Sequence, residues 1–248
     1  MKKYISLFLA ALMLLSLLAG CGKKSDGGDG TRTLVLRNTA GLSTNDPHAT
    51  TNTHDYTVFE NIYEGLYDLN EATGGYDLRL AEKVEANDDA TEYTVTLKQG
   101  VKFHNGETMT ADDVVFSYAH AQKDAHMGSY CRPLDHVEKV DDYTVKIVMN
   151  QPFSPIGHML HKVKIMSKKG VEELGNDFGK VPNKVGTGPY MWDENNYNPL
   201  SSWSAVAFED YHRGKAKIEK ITWNVIADDT SAITALQLSL IHISEPTR

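Results

Sequence analysis

The sequence predicts a mixed α/β fold from three observations. Residues 92–98 and 144–149 alternate apolar and polar side chains, the two-residue period of half-buried strands. Phe59, Ile62, Tyr63 and Leu66 stand at i, i+3, i+4 and i+7, which is one face of a helix. Segments of both kinds follow one another along the chain without a repeat of fixed period, the pattern of a mixed architecture.

The chain opens on a leader. Lys2 and Lys3 precede an apolar run from Ile5 to Leu18, and Leu18-Ala19-Gly20-Cys21 closes it. A charged region, a short apolar region and small residues before a cleavage point make a secretory signal. The run falls short of the roughly 20 apolar residues of a membrane span. Its end resembles a bacterial lipobox. Residues 1–20 are therefore expected to be a lipoprotein signal peptide, with Cys21 the lipidated mature N-terminus. Two or more acyl chains anchor stably where one does not. Residues 22–30 read GKKSDGGDG, with no apolar side chain, so residues 21–32 are expected to form the lipidated cysteine and a flexible linker. Such a linker reaches roughly 15–18 Å.

The folded body is expected over residues 33–237. Residues 33–38 (TLVLRN) read as a strand and the polar residues 41–52 as a loop. A helix over 54–66 follows, with Gly65 in its last turn, then a loop with Gly74-Gly75. Strands are expected over 81–87 and 92–98, joined by a turn at Asp88-Asp89. Asn105-Gly106 marks a tight turn. Thr110 ahead of Ala111-Asp112-Asp113 makes a capping box that starts a helix over 111–121. Asp141-Asp142 turns the chain into the strand 144–149, and Ser154-Pro155 reads as an N-cap with proline at the first helical position. Strands over 202–208 and 219–226 and an amphipathic helix from 230 to 237 complete the body. Residues 238–248, LSLIHISEPTR, match at every residue the translation of a transposase adapter used in sequencing libraries. They are expected to be an artefact and are excluded from fold reasoning.

Composition narrows the function classes. The chain is 41% hydrophobic and 23% charged, ordinary for a soluble globular protein. Its formal net charge of −8 becomes more negative once Lys2 and Lys3 leave with the leader. An acidic surface argues against nucleic acid or anionic lipid as a partner. Of the two cysteines, Cys21 is expected to carry lipid, so Cys131 has no disulfide partner within the chain and reads as a buried small hydrophobe.

Local motifs do not assign catalysis. Gly186-Thr187-Gly188-Pro189-Tyr190 lacks the second half of a phosphate loop and reads as a structural turn whose glycines supply positive φ. His158 and His161 share a helical face, but no HExxH motif or cysteine pair completes a metal site. There is no GxSxG elbow and no SxxK. Asp112-Asp113 and Asp228-Asp229 sit at helix starts, where capping accounts for them. A carboxylate pair that meets only in the fold stays open. Tyr56, Tyr63, Tyr67, Tyr130, Tyr190, Tyr197 and the three tryptophans are expected mostly to pack in the core or at lobe surfaces, with a few lining a pocket for a small ligand.

Taken in order, a set of motifs resembles the family-5 extracellular solute-binding proteins, which serve oligopeptide, dipeptide and nickel ABC importers. The set starts with Leu34-Val35-Leu36-Arg37 followed by Asn45-Asp46-Pro47, then NIYEGL at 61–66 and Leu80-Ala81-Glu82. It continues with YTVTLKQGVKFHNG at 93–106, TADDVVFS at 110–117, VGTGPY at 185–190 and YHRGK at 211–215. The resemblance implies a type II periplasmic-binding-protein fold of two lobes and a hinge, with ligand captured between them and only the first-lobe part present. It implies an extracytoplasmic lipoprotein that is tied to the cell membrane. That protein captures oligopeptides or dipeptides and delivers them to an ABC permease and its ATPase. A nickel-chelate or haem binder is the alternative within the family, and a lipoprotein enzyme such as a glycosidase the alternative outside it. By positional match, Thr51, Asn52 and Thr53 lie in a first-lobe loop near the cleft, and Tyr130 lies where a tyrosine can meet ligand. The acid that meets a peptide's amino terminus belongs to the half not present. No catalytic residue, metal or cofactor is implied.

Overall fold

The structure, a computed structural model, describes residues 32–242. The leader, Cys21, the linker through residue 31 and residues 243–248 lie outside the described residues. The chain runs through β1 (Thr33–Asn38), α1 (Thr53–Ile62), β2 (Tyr67–Asn70), β3 (Gly75–Leu78), β4 (Ala81–Ala86) and β5 (Glu92–Leu97). Next come α2 (Ala111–Lys123), β6 (Leu134–Asp141), β7 (Thr144–Met149), α3 (Gly157–Lys162) and α4 (Lys168–Leu174). Last are β8 (Tyr190–Asn198), β9 (Ser202–Ala207), β10 (Lys220–Val225) and α5 (Asp229–Gln237).

Among the described residues, two four-stranded sheets and the two-stranded β2–β3 hairpin organise these elements. One is antiparallel, in the order β4-β5-β7-β6. Its alternation is the one expected: Tyr93, Val95 and Leu97 of β5 and Val145, Ile147 and Met149 of β7 are all buried. They pack with Val114 and Tyr118 of α2 and Leu160 of α3 into one core. The other sheet runs β1-β10-β9-β8, with β1 parallel to β10 and the remaining pairs antiparallel. Its core joins Phe59, Ile62 and Tyr63 to Trp192, Trp203 and Trp223. Each such side chain contributes about 1.5–3 kcal/mol by leaving water.

Sequence and structure part at several boundaries. The α1 helix stops at Ile62 rather than Leu66, although Phe59, Ile62, Tyr63 and Leu66 are all fully buried. Continuing it would need the Ile62 carbonyl for the Leu66 N–H, but that carbonyl accepts from Gly188 at 3.0 Å. Gly65 lies beyond the helix, bridged to Lys164. A Cβ on Gly65 would stand 2.6 Å from the Leu160 and His161 carbonyl oxygens, so only glycine admits this approach. The 186–190 turn corrects its own rationale, because neither Gly186 nor Gly188 has positive φ. They serve proximity instead: a Cβ on Gly186 would lie 2.2 Å from the Ile62 carbonyl oxygen, and one on Gly188 2.6 Å from that of Asn61. The helix expected from Ser154-Pro155 begins at Gly157, with Ile156 as its N-cap. Its approach is tied to the sheet by the Phe153 N–H, which donates to Ala90 at 3.0 Å, and by the Tyr93 hydroxyl on the Phe153 carbonyl at 2.6 Å.

The α2 helix starts as expected, with the Thr110 N–H donating to the Asp113 carboxylate at 2.9 Å, and extends to Lys123. The hairpin β2–β3, the strands β6 and β8, and α4 were not expected. At the far end, Ile241 is buried, and His242 joins the free edge of β1. Its N–H donates to the Val35 carbonyl at 2.8 Å, and its Nδ1 accepts from the Val35 N–H at 3.1 Å.

Candidate functional site

A solvent-open groove of about 450 Å³ lies where α1, the β2–β3 hairpin and the end of α3 meet. The Gly65–Lys164 bridge brings these elements together, because it joins the chain leaving α1 to the chain leaving α3. The loop before α1 is held by Asp55, which is fully buried. Its carboxylate accepts from the Ser43 N–H at 3.1 Å, from the Thr50 hydroxyl at 2.8 Å and from the Ser43 hydroxyl. That anchoring leaves Thr51, Asn52 and Thr53 exposed.

Thr53 lines the groove. Asn52 caps α1, its side-chain oxygen accepting from the His54 N–H at 3.0 Å. Thr51 stands exposed beside it. Tyr130 is on the flank, half-buried, its ring 5.3 Å from that of His158. His158 Nδ1 in turn lies 3.1 Å from the Tyr76 hydroxyl.

Successive turns of α1 supply one wall. Tyr56 donates to the Thr50 carbonyl at 3.3 Å, and burial, with Tyr130 and Glu60 adding to it, pushes its phenol up to about 12. Glu60 accepts from Lys164, a fully buried ammonium, at 2.9 Å. Across the groove, Asp68 is paired with Arg79. From α3 come His161, which is buried, and Lys162, whose Nζ lies 4.4 Å above the Tyr56 ring centroid. Burial, followed by the Lys164 charge, lowers the His161 pKa and keeps the ring neutral. Thr53 and Tyr56 are among the residues expected near a ligand; Thr57 and Glu60, which complete a polar stripe at helical spacing, are not. Asp68 and Lys162 had no such signal, because the hairpin and the true start of α3 were not foreseen.

Glu64 stands behind the same wall and ties three distant motifs together. Its carboxylate accepts from Thr187 Oγ1 at 3.0 Å, the Tyr211 hydroxyl at 2.8 Å and His212 Nε2 at 3.0 Å, with Arg79 Nε at 3.3 Å. Burial pushes its pKa up, but His212, Arg79 and Tyr211 together outweigh burial and hold it below the usual carboxylate range.

Among the described residues, two clusters bring metal-ligating side chains close, Asp46-His48-His120 and Glu60-Asp68-His161. In the first, His48 Nε2 accepts from the Lys164 N–H at 3.1 Å, so Nδ1 carries the ring hydrogen and offers no lone pair. In the second, both carboxylates are already bound to cations, Lys164 and Arg79. His158 and His161 do not converge, since His158 is exposed and His161 is buried. Cys131 is packed in the core, where burial raises its thiol to about 11, far from a reactive thiolate.

Comparison with known proteins places this arrangement. Residues 76–246 match the family described as bacterial extracellular solute-binding proteins, family 5 middle. The glutathione-binding protein GsiB of Salmonella paratyphi A is 31% identical over 247 residues, which cover 96% of this chain and 46% of GsiB. Among solved structures, MoaA of A. tumefaciens R10, in complex with mannopinic acid, superposes with a TM-score of 0.81. It is 29% identical, over 88% of this chain and 45% of MoaA. The oligopeptide-binding protein AppA of Bacillus subtilis, in complex with a nonapeptide, gives a TM-score of 0.77 at 26% identity, over 84% of this chain and 43% of AppA. The chain thus spans about half the length of the relatives it matches. It has the type II periplasmic-binding-protein fold and belongs to the family-5 bacterial extracellular solute-binding proteins.

Proposed function

We propose that this chain is the first-lobe part of an extracytoplasmic substrate-binding lipoprotein that captures short peptides for an ABC importer. The observation that carries this reading is the groove. It is open, carries the Tyr56 ring on one wall and is lined by polar groups from three separate elements. Such a wall suits a ligand with a polar backbone and variable side chains, held by a second lobe closing over it. Relatives that bind glutathione and a nonapeptide support peptide as the class. Cys21 is the proposed lipid anchor, and the permease with its ATPase the proposed partner. Residues 33–237 are the proposed native portion of the solute-binding domain, with 238–248 an adapter-derived addition.

The test is a thermal-shift and calorimetry screen of the full-length protein, without its leader, against di- to octapeptides, glutathione, nickel chelates and haem. Binding of a peptide at micromolar affinity, about −8 kcal/mol, with a raised melting temperature is the expected result. Response to a nickel chelate or haem alone would overturn the substrate class. Turnover of a glycoside or peptide would overturn the binding role itself.

A further inference from the structure

Charge accounting around the groove singles out one side chain. Three carboxylates and one ammonium line it: Glu60, Asp68, Glu71 and Lys162. Glu60 is bound from behind by buried Lys164 at 2.9 Å, and Asp68 by Arg79. Glu71 sits exposed in the hairpin turn, where water solvates it. Lys162 has no carboxylate within ion-pairing distance among the described residues. Its ammonium is half-buried and held 4.4 Å over the Tyr56 ring, a contact that fixes its position while leaving its N–H donors unspent. The hydroxyl-bearing Thr53 and Thr57 line the groove alongside it.

From this geometry we infer that Lys162 is a ligand-binding residue that receives a carboxylate of the captured solute, so that the groove selects anionic-ended peptides. The inference rests on the peptide-capture reading of the same groove. A half-buried cation without a counter-ion carries a desolvation cost that an incoming carboxylate offsets, through a charge-assisted hydrogen bond stronger than a neutral one. Burial accordingly lowers the Lys162 pKa, with Glu60 opposing the shift and Lys164 adding to it. Tyr56 then acts as a positioning residue, since its ring sets where the ammonium stands.

The experiment offers the full-length protein two random tripeptide libraries, one with free C-termini and one C-terminally amidated, and counts bound peptides by mass spectrometry. Wild type is expected to retain free-carboxylate peptides about ten- to a hundredfold over amides, the range of a charge-assisted hydrogen bond. Lys162→Met is expected to bring the ratio close to one, and Lys162→Arg to keep most of the preference. Circular dichroism and melting temperature establish that both variants fold, as expected for a side chain at a groove wall. Equal retention of amides by wild type, or a preference unchanged in Lys162→Met, overturns the inference and leaves peptide capture standing. Retention of neither library overturns both.

Discussion

Replacing Glu64 with alanine removes the acceptor of Thr187, Tyr211 and His212 at once and takes from Arg79 one of its two carboxylates, Asp68 being the other. Thr187, Tyr211 and His212 belong to segments far from residue 64 in sequence, so the loss falls on tertiary structure and not on α1. A buried donor left without its acceptor costs about 1–3 kcal/mol, so the three donors together set a loss of about 3–5 kcal/mol, while Arg79 keeps Asp68. Against a total stability of about 5–15 kcal/mol this is a large fraction. Urea unfolding followed by fluorescence reads it directly, since Trp192, Trp203 and Trp223 are buried. The variant should also show a specific pH signature. The folded-state pKa of Glu64 lies below its unfolded value, so its stabilisation is complete above the unfolded pKa and is lost as pH falls through the folded one. The difference between wild type and Glu64→Ala should therefore be full at pH 7 and shrink below about pH 4, toward the foot of the carboxylate range. Taking the difference removes titrations common to both proteins. A loss under about 1 kcal/mol at pH 7, or a difference that does not narrow in acid, refutes the account of Glu64 as a paired buried anion.

Three further outcomes are expected. Gly188→Ala should lower stability by about 1–3 kcal/mol, because its Cβ would meet the Asn61 carbonyl oxygen at 2.6 Å, whereas Gly75→Ala, with only the Thr73 hydroxyl at 3.4 Å, should be tolerated; thermal melts compare the two. Stability should decline as pH falls from about 6.5 toward 4, because burial depresses His104 to about 4 and His48 to about 3, so the unfolded chain takes up protons that the folded chain refuses. His104→Gln should flatten that decline in a pH series of urea midpoints. Cys21→Ala should move the protein from the membrane fraction to the soluble fraction, and wild-type membrane retention in that variant would remove the lipid-anchor proposal.

Much of the fold was legible because single-face burial writes itself into sequence. Tyr93, Val95 and Leu97, and Val145, Ile147 and Met149, alternate because one side of their sheet meets α2 and the other meets water. The α2 start was legible because Thr110 and Asp113 are only one turn apart. The hairpin was not, since its four-residue strands YDLN and GYDL are half-exposed and never alternate cleanly. Strand β8, reading YMWDENNYN, is mostly polar and breaks register between Trp192 and Tyr197. The groove was legible only on its α1 side, through Thr53 and Tyr56. Its other walls come from residues 68–71 and 161–162, brought together by the Gly65–Lys164 bridge, and pairing over that distance leaves no local mark.

The parallel pairing of β1 with β10 makes the first described strand wait for the last. Thr33 sits opposite Lys220, so nearly the whole described chain lies between the two halves of one pairing. The β4-β5-β7-β6 sheet is built from neighbours in sequence and can assemble early. Non-local strand pairing is slow, and chains grow from the N-terminus. An emerging β1 therefore stays without its β10 partner until the chain has grown to Lys220 and beyond. A holding partner that binds extended segments would find its target there first, before β10 exists to claim it.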